Sequence, residues 1–157
     1  MNLKAIVAVA ENNVIGNGLQ IPWHIKEDFK HFKETTLGSV IVFGKSTWLS
    51  LGCKPLPSRE NAILSTTLTD TPPDGAIYFK SKEELLNHYK NDPRTIWICG
   101  GAKIYEEFLP LCSELIMSKI KKSYEGDIYF PNISSLFDEK ETLKSFEEFS
   151  VVKYVRK

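Results

Sequence analysis

The chain predicts an α/β fold: a three-layer sandwich in which a mixed, mostly parallel eight-stranded central sheet is flanked by about four helices. Through the first two-thirds, short apolar runs alternate with helix-patterned segments, the order that pairs strands in parallel through right-handed crossovers. The tail then runs strand after strand with no helix between, which calls for antiparallel pairing. Nothing repeats and no low-complexity linker interrupts the sequence, so residues 1–157 are expected to form a single domain with one substantial core.

The elements follow in order. Leu3–Ala10 is apolar at nearly every position, as in a strand buried on both faces, and Asn12-Asn13 breaks it. Gly16, Gly18 and Pro22 make residues 16–23 a loop. Ile25–Thr35 reads as an amphipathic helix: at about 100° per residue, Ile25, Phe29, Phe32 and Thr36 share one stripe. Ser39–Gly44 is a second buried strand that runs into a short helix, Lys45–Leu51. Pro55, Pro57 and Ser58 form a loop before a third strand, Asn61–Ser65. Asp70–Gly75 is a turn, Ala76–Phe79 a short strand and Lys82–Lys90 a helix. Thr95–Cys99 is again a buried strand; it meets Gly100-Gly101 and a helix, Ala102–Leu109, which Pro110 stops. Leu115–Ile120, Ile128–Phe130 and Phe146–Val155 supply the later strands. In the last, Val151, Lys153 and Val155 alternate against Val152, Tyr154 and Arg156, as on a strand with two distinct faces.

Composition excludes several function classes. The formal net charge is zero, so no basic excess draws a nucleic-acid backbone or an anionic membrane. Cys53, Cys99 and Cys112 have no ligand spacing, and His24, His31 and His88 make no pattern with them, so no metal site is expected. An odd cysteine count without a framework suits free thiols in a reducing compartment. The opening apolar run, Ala5–Ala10, is too short for a signal-peptide core or a membrane span. A cytoplasmic monomer is the expectation.

Three features carry candidate chemistry. Asp28 falls about 40° from Phe32, at the edge of the apolar stripe, whereas Glu27, Lys30 and Lys33 point away. A carboxylate there loses hydration and needs a partner or a raised pKa; the competing reading is a first-turn acid that complements the helix dipole in water. Two strand–glycine–helix junctions, Gly44 with Lys45-Ser46-Thr47 and Gly100-Gly101 with Ala102-Lys103, offer free backbone N–H groups to an anion. Either junction could instead be a turn that only needs glycine. Neither is a Gly-x-Gly-x-x-Gly fingerprint or a complete P-loop. Two such cradles suit a ligand with more than one phosphate, bound at the carboxyl edge of the strands. Arg59 is a candidate carboxylate clamp, against the alternative of a solvated surface arginine.

Taken in order, the motifs resemble those of the dihydrofolate reductase family. The matching pieces are Ala8-Val9-Ala10 with Val14-Ile15-Gly16, Ile21-Pro22-Trp23, Asp28, and Phe32-Lys33 with Thr36. Val42-Phe43-Gly44-Lys45-Ser46-Thr47-Trp48, Pro55-Leu56-Pro57-Ser58-Arg59-Glu60-Asn61 and Ile98-Cys99-Gly100-Gly101 follow. Tyr105-Glu106-Glu107-Phe108-Leu109-Pro110, Glu125-Gly126-Asp127 and Phe130-Pro131 complete the set, which spans essentially the whole chain. The resemblance implies a dihydrofolate reductase-like fold and NADPH-dependent reduction of 7,8-dihydrofolate to tetrahydrofolate. Hydride would pass to pterin C6 and a proton to N5. One-carbon metabolism, thymidylate and purine synthesis, and antifolate inhibitors as further ligands come with it.

The resemblance also implies site residues. Asp28 would grip the pterin 2-amino group and N3 and raise its proton affinity, Trp23 would hold an ordered water, and Ser118 would be a hydroxyl partner of Asp28. Ile6, Ala8, Phe32, Leu51, Leu56 and Tyr105 would complete the substrate site, with Arg59 on the glutamate α-carboxylate. Ala8, Ile15 and Gly16 would meet the nicotinamide, near Cys99. Gly44, Lys45, Thr47, Gly101, Ala102 and Lys103 would line the pyrophosphate and ribose, with Gly100 and Ile104 also at the cofactor. Lys45, Ser46, Thr66 and Lys103 would read the 2′-phosphate, and Ser65 would also contact the cofactor. Gly100-Gly101 would be a cis peptide, and residues 16–23 a lid.

The chain departs from that family pattern in places. Ala102 stands where many relatives carry a third glycine, Lys45 and Lys103 where many carry arginine, and Cys99 where an aliphatic residue is usual. Cys53-Lys54 lengthens the loop before Pro55 by one residue. Two other readings stay open here: a reductase of the same fold acting on a ribosylated pyrimidine, and a module that binds NADPH or folate without turnover. Asp28 after Pro22-Trp23, together with Arg59, favours folate over the first; the complete set of matched positions favours turnover over the second.

Overall fold

The fold, taken from a computed structural model of the chain, is described for residues 1–18 and 20–157. In chain order the elements are β1 (Asn2–Val9), β2 (Val14–Gly16), α1 (Lys26–Thr36), β3 (Val40–Gly44), α2 (Lys45–Ser50), β4 (Glu60–Leu64), β5 (Ala76–Phe79) and α3 (Lys82–Tyr89). Then come β6 (Thr95–Ile98), α4 (Ala102–Phe108), a 3-10 turn (Leu109–Leu111), β7 (Glu114–Ile120), β8 (Ile128–Tyr129), β9 (Phe137–Ser145) and β10 (Phe149–Arg156).

Eight strands form one sheet in the order β5-β4-β3-β6-β1-β7-β10-β9. Every pairing from β5 through β7 is parallel. The β7–β10 and β10–β9 pairings are antiparallel. The expected mixed, mostly parallel sheet with four helices is what forms, and its apolar runs, β3 above all, lie at the centre with every residue buried. Because side chains alternate across a strand, β1 sends Ala5, Val7 and Val9 into one core layer with α3 and α4. Its Ile6, and Ala10 just after it, enter the other layer, which holds Trp48 of α2 and Ile25 before α1.

Four expectations change. Ile128–Phe130 does not join the central sheet; β8 pairs with β2, a strand the sequence does not announce. The eighth place in the sheet belongs to β9, also unannounced. Its sequence is charge-rich and only Phe137 is buried, so no apolar alternation marks it; backbone pairing to β10 holds it. The last strand starts at Phe149 rather than Phe146, because the Phe146 N–H donates to Phe149 C=O in the β9–β10 turn. The first helix begins at Lys26, with Ile25 extended as its cap.

Two junctions place the candidate site. β3 and β6 end side by side, the Gly44 N–H donating to Gly100 C=O at 2.9 Å, so α2 and α4 start next to one another. The loop after β2 is tied to the segment before β8: Gly18 N–H donates to the Asp127 carboxylate at 2.9 Å, and Asp127 N–H to Gly16 C=O at 3.2 Å. Glycine is required at 126, since any Cβ there would overlap Gly16 O and a Val14 methyl.

Candidate active site

A cleft of about 340 Å³ opens at the carboxyl edge of β3, β6 and β1, between α1 on one side and the starts of α2 and α4 on the other. Its lining is mostly apolar. Among the described residues, Asp28 and His31 are the titratable acid and imidazole that line it.

α1 sets Asp28 in place. Its N–H donates to Ile25 C=O at 3.1 Å in the first turn, and the side chain is 8% exposed. Burial raises the carboxyl above its ordinary range, because the low-dielectric surroundings penalise the charged form. The Ser118 hydroxyl, the His31 imidazole and the Trp23 indole act in the opposite sense by favouring the anion. Ser118 is itself buried and reaches the cleft from β7. Trp23 stands behind the acid rather than in the cleft lining; it is buried and packs on Tyr124 at 5.3 Å between ring centroids.

Apolar side chains surround the acid. Ile6 and Ala8 come from β1, Phe32 from α1, Leu51 from the end of α2, and Leu56 from the loop after it. Asn61 pins that loop: its amide oxygen accepts from Leu56 N–H at 2.9 Å, and its amide nitrogen donates to Leu56 C=O and Arg59 C=O at 3.0 Å each. Arg59 lies outside the lining but is built in, not solvated. It is 9% exposed, its Nε donates to Pro57 C=O at 3.0 Å, and its guanidinium donates to Thr36 Oγ1 at 3.1 Å. Thr36 in turn donates to Phe32 C=O at 2.8 Å, so the arginine is locked to the end of α1. Tyr105 closes the floor, its hydroxyl donating to Ile6 C=O at 2.7 Å and its ring edge-on to Phe130.

The opposite half is mainly backbone. Gly100-Gly101 is a cis peptide, as the resemblance implies. Gly44 caps α2 and Gly101 caps α4 with no side-chain hydrogen bond, so the first N–H groups of both helices keep donors to spare. Ile15, Gly16, Ser46, Thr47, Cys99, Gly100 and Gly101 line this half. Gly44, Lys45, Ala102, Lys103 and Ile104 sit just behind it, with Lys45 and Lys103 exposed and Ile104 packed in the core. Burial pushes the Cys99 thiol up, and its Sγ donates to Trp97 C=O at 3.4 Å, which fits packing rather than reactivity.

At the edge of this half an ammonium group and two hydroxyls meet beside Thr66, the threonine named in the sequence. Lys45 Nζ donates to Thr67 Oγ1 at 2.9 Å, and Thr67 N–H donates to Ser65 Oγ at 3.2 Å, while Thr66 stands exposed outside that triad.

The cleft has further lining residues that the sequence does not single out. Phe29 belongs to the apolar stripe yet is 41% exposed, because that part of the stripe faces the cleft and not the core. Ile21, 54% exposed, flanks the same mouth from the loop after β2, together with Gly18 and Gln20. Leu19, within the expected lid, lies outside the described residues. Val7, Phe43, Ser50 and Ile128 complete the lining. The signal available for Phe29 was an aromatic residue one position from a candidate catalytic acid. His31 carries no periodic signal.

A parallel-sheet edge with two uncapped helix starts facing a slot that holds one buried carboxylate defines an α/β protein built to set a phosphate-bearing ligand beside a small polar heterocycle. The chain belongs to the dihydrofolate reductase family: the model of that family, described as "Dihydrofolate reductase", matches residues 2–154. It is 39% identical over 157 residues to the dihydrofolate reductase of Mycoplasma pneumoniae, covering 97% of this chain and 96% of that protein. It is 41% identical over 133 residues to the enzyme of Neisseria gonorrhoeae, covering 85% and 81%. A solved structure of dihydrofolate reductase from Enterococcus faecalis, complexed with NADP(H) and RAB-propyl, superimposes with a TM-score of 0.90 at 31% identity, covering 99% of this chain and 96% of that one.

Proposed function

We propose that the chain reduces 7,8-dihydrofolate to tetrahydrofolate with NADPH. The observation that carries this reading is Asp28, the one carboxylate that lines the cleft among the described residues, held nine-tenths buried across from the Gly100-Gly101 junction.

The residues present fit NADPH. The uncapped starts of α2 and α4 supply backbone donors for a pyrophosphate, with the Thr47 hydroxyl between them. Lys45, Ser65 and Thr67 form a hydroxyl-and-ammonium cluster suited to a further phosphate monoester. The backbone of Ala8 and Ile15 is available to a carboxamide. Bound NADPH supplies the hydride.

The chain's own residues do the rest. Asp28 accepts hydrogen bonds from the 2-amino group and N3 of the pterin and favours its cationic form, which meets the need for a proton at N5. Trp23 and Ser118 position that carboxylate and favour its ionised state. Ile6, Phe32, Leu51 and Leu56 hold the rings and exclude water, which strengthens the Asp28 interaction. Arg59, already locked by Thr36 and Pro57, presents its guanidinium to the glutamate α-carboxylate. Antifolate inhibitors compete for Asp28 and the same apolar slot. Every group this account uses lies on one copy of the chain, in keeping with a monomer, and the three free cysteines suit the cytoplasm.

The test is a direct assay: protein, dihydrofolate and either NADPH or NADH, followed at the reduced-nicotinamide absorbance. Decay with dihydrofolate, faster with NADPH, is expected. No decay, with both ligands bound, overturns the reading and leaves a binding module.

A further inference from the structure

His31 shares the cleft with Asp28 but takes no part in binding the pterin or the cofactor. The two lie three residues apart on α1, about 4.5 Å along the axis and neighbours on one face. Both are nine-tenths buried and both line the cleft. The contacts of the imidazole are lopsided. Nδ1 lies 3.4 Å from Thr35 Oγ1, a long and weak contact, while Nε2 is fully buried and meets no protein partner among the described residues. A buried ring nitrogen with no protein partner is uncommon and calls for a reason. Of the charged groups acting on the ring, Asp28 and Glu34 belong to α1 and Lys144 to β9. Ser118 on β7 and the Trp23 indole, which face Asp28, are uncharged.

We propose that His31 is a positioning residue for Asp28: the two side chains titrate as one pair inside the cleft, and the charge on the imidazole decides whether the carboxylate is free for the substrate. This deepens the reductase reading and rests on it for its kinetic consequence. Burial disfavours the charged form of each group, while each charge favours the other. A neutral imidazole leaves the Asp28 carboxylate to a cationic pterin. An imidazolium attracts the same carboxylate and adds a positive charge beside the place where the pterin cation must sit. His31 therefore opposes substrate binding as pH falls, just where a protonated pterin would otherwise gain. Burial pushes the histidine below its ordinary range, which keeps it neutral at neutral pH and confines this opposition to the acid side.

Two measurements on the full chain test this. The first needs no substrate: the imidazole 15N shifts of His31 are followed against pH in the wild type and in Asp28→Asn. Removing the anion is expected to lower the His31 midpoint by about one pH unit, the scale of coupling that marks a pair. An unchanged midpoint overturns the proposal, whether or not the chain reduces dihydrofolate. The second is the KM for dihydrofolate between about pH 5 and about pH 7 in the wild type, His31→Gln and His31→Asn, whose amides keep hydrogen-bonding capacity without a titrating charge. The acid-side rise in KM is expected to be several-fold smaller in whichever variant folds, with kcat following a separate profile. A rise equal to that of the wild type overturns the proposal; failure of the wild type to turn over sinks the reductase reading instead and leaves the first measurement to decide on the pair.

Discussion

The two halves of the cleft are built from different materials. The substrate half is made of side chains: Asp28, His31 and Phe32 project from α1, and the acid is buried at a cost that only its neighbours reduce. The cofactor half is made of backbone: Gly44 and Gly101 cap helices, Gly100 links β6 to the second of them, and its cations, Lys45 and Lys103, stand in solvent. The first half concentrates energy in one ionisable group. The second spreads recognition over many weak donors. An isosteric change of charge should therefore be ruinous in one half and minor in the other, and an added methyl group should do the reverse.

The largest effect is expected from Asp28→Asn, which keeps shape and hydrogen bonding but removes charge. Turnover should fall by roughly 10²–10⁴-fold at neutral pH, the range for losing a positioned proton-transfer group. It should recover in part in acid, where the substrate arrives protonated. Stability should move the other way. The folded-state pKa of Asp28 is raised, so between its ordinary value and the raised one the native state binds the proton more tightly than the unfolded chain. Stability is thus lost as pH rises through that window, and the amide removes the loss. Asp28→Asn should melt higher than the wild type at pH 7, by about 2–4 °C for each kcal/mol relieved. Glu27→Gln, one residue earlier and exposed, is the control for both readings. Equal turnover of Asp28→Asn and wild type from pH 5 to 8, or a lower melting point, would dissolve the contrast between the halves.

Gly100→Ala tests the backbone half. Gly100 has φ +116°, and a Cβ there would stand 3.3 Å from Tyr105 Cε2. Tyr105 cannot swing aside without breaking its hydrogen bond to Ile6 C=O at 2.7 Å. Backbone strain of this kind costs about 1–3 kcal/mol, or roughly 5- to 150-fold if it falls wholly on the ligand-ready conformation. Calorimetry should show NADPH affinity falling by that order while dihydrofolate binding changes less. An alanine variant that binds NADPH as well as the wild type would mean that the junction is not a rigid part of the cofactor site.

The same contrast governs what could be read from the sequence. The α1 stripe was visible because 3.6-residue periodicity reports which side of a helix meets apolar surroundings, and Asp28 sits at its edge. Periodicity does not say whether those surroundings are core or cleft, which is why Phe29 was expected to be buried. Nor does it reveal His31, about 60° beyond Asp28 on the side away from the stripe, where only tertiary packing buries it. The parallel sheet was legible because its strands are continuous apolar runs. β9 was not, because an edge strand held by backbone pairing shows no burial pattern. Thr67 rather than Thr66 meets Lys45 because the turn after β4 aims the side chains, and no local pattern encodes that aim.

Lys45→Met should give the smallest change and the sharpest comparison. Lys45 is exposed and already shares its ammonium with Thr67 Oγ1 at 2.9 Å, so a phosphate gains one solvent-screened charge and not a desolvated one. The loss in NADPH affinity should be about 1 kcal/mol, near fivefold, and should shrink as salt is raised. NADH, which lacks the 2′-phosphate, should bind the variant and the wild type alike. Methionine keeps the length and apolar stem of lysine, so any effect reads the charge alone. A loss as large as that from Gly100→Ala, or one that strikes NADH equally, would show that this half depends on a specific ionic contact after all. The division between a charged half and a backbone half would then have to be redrawn around Lys45, Ser65 and Thr67.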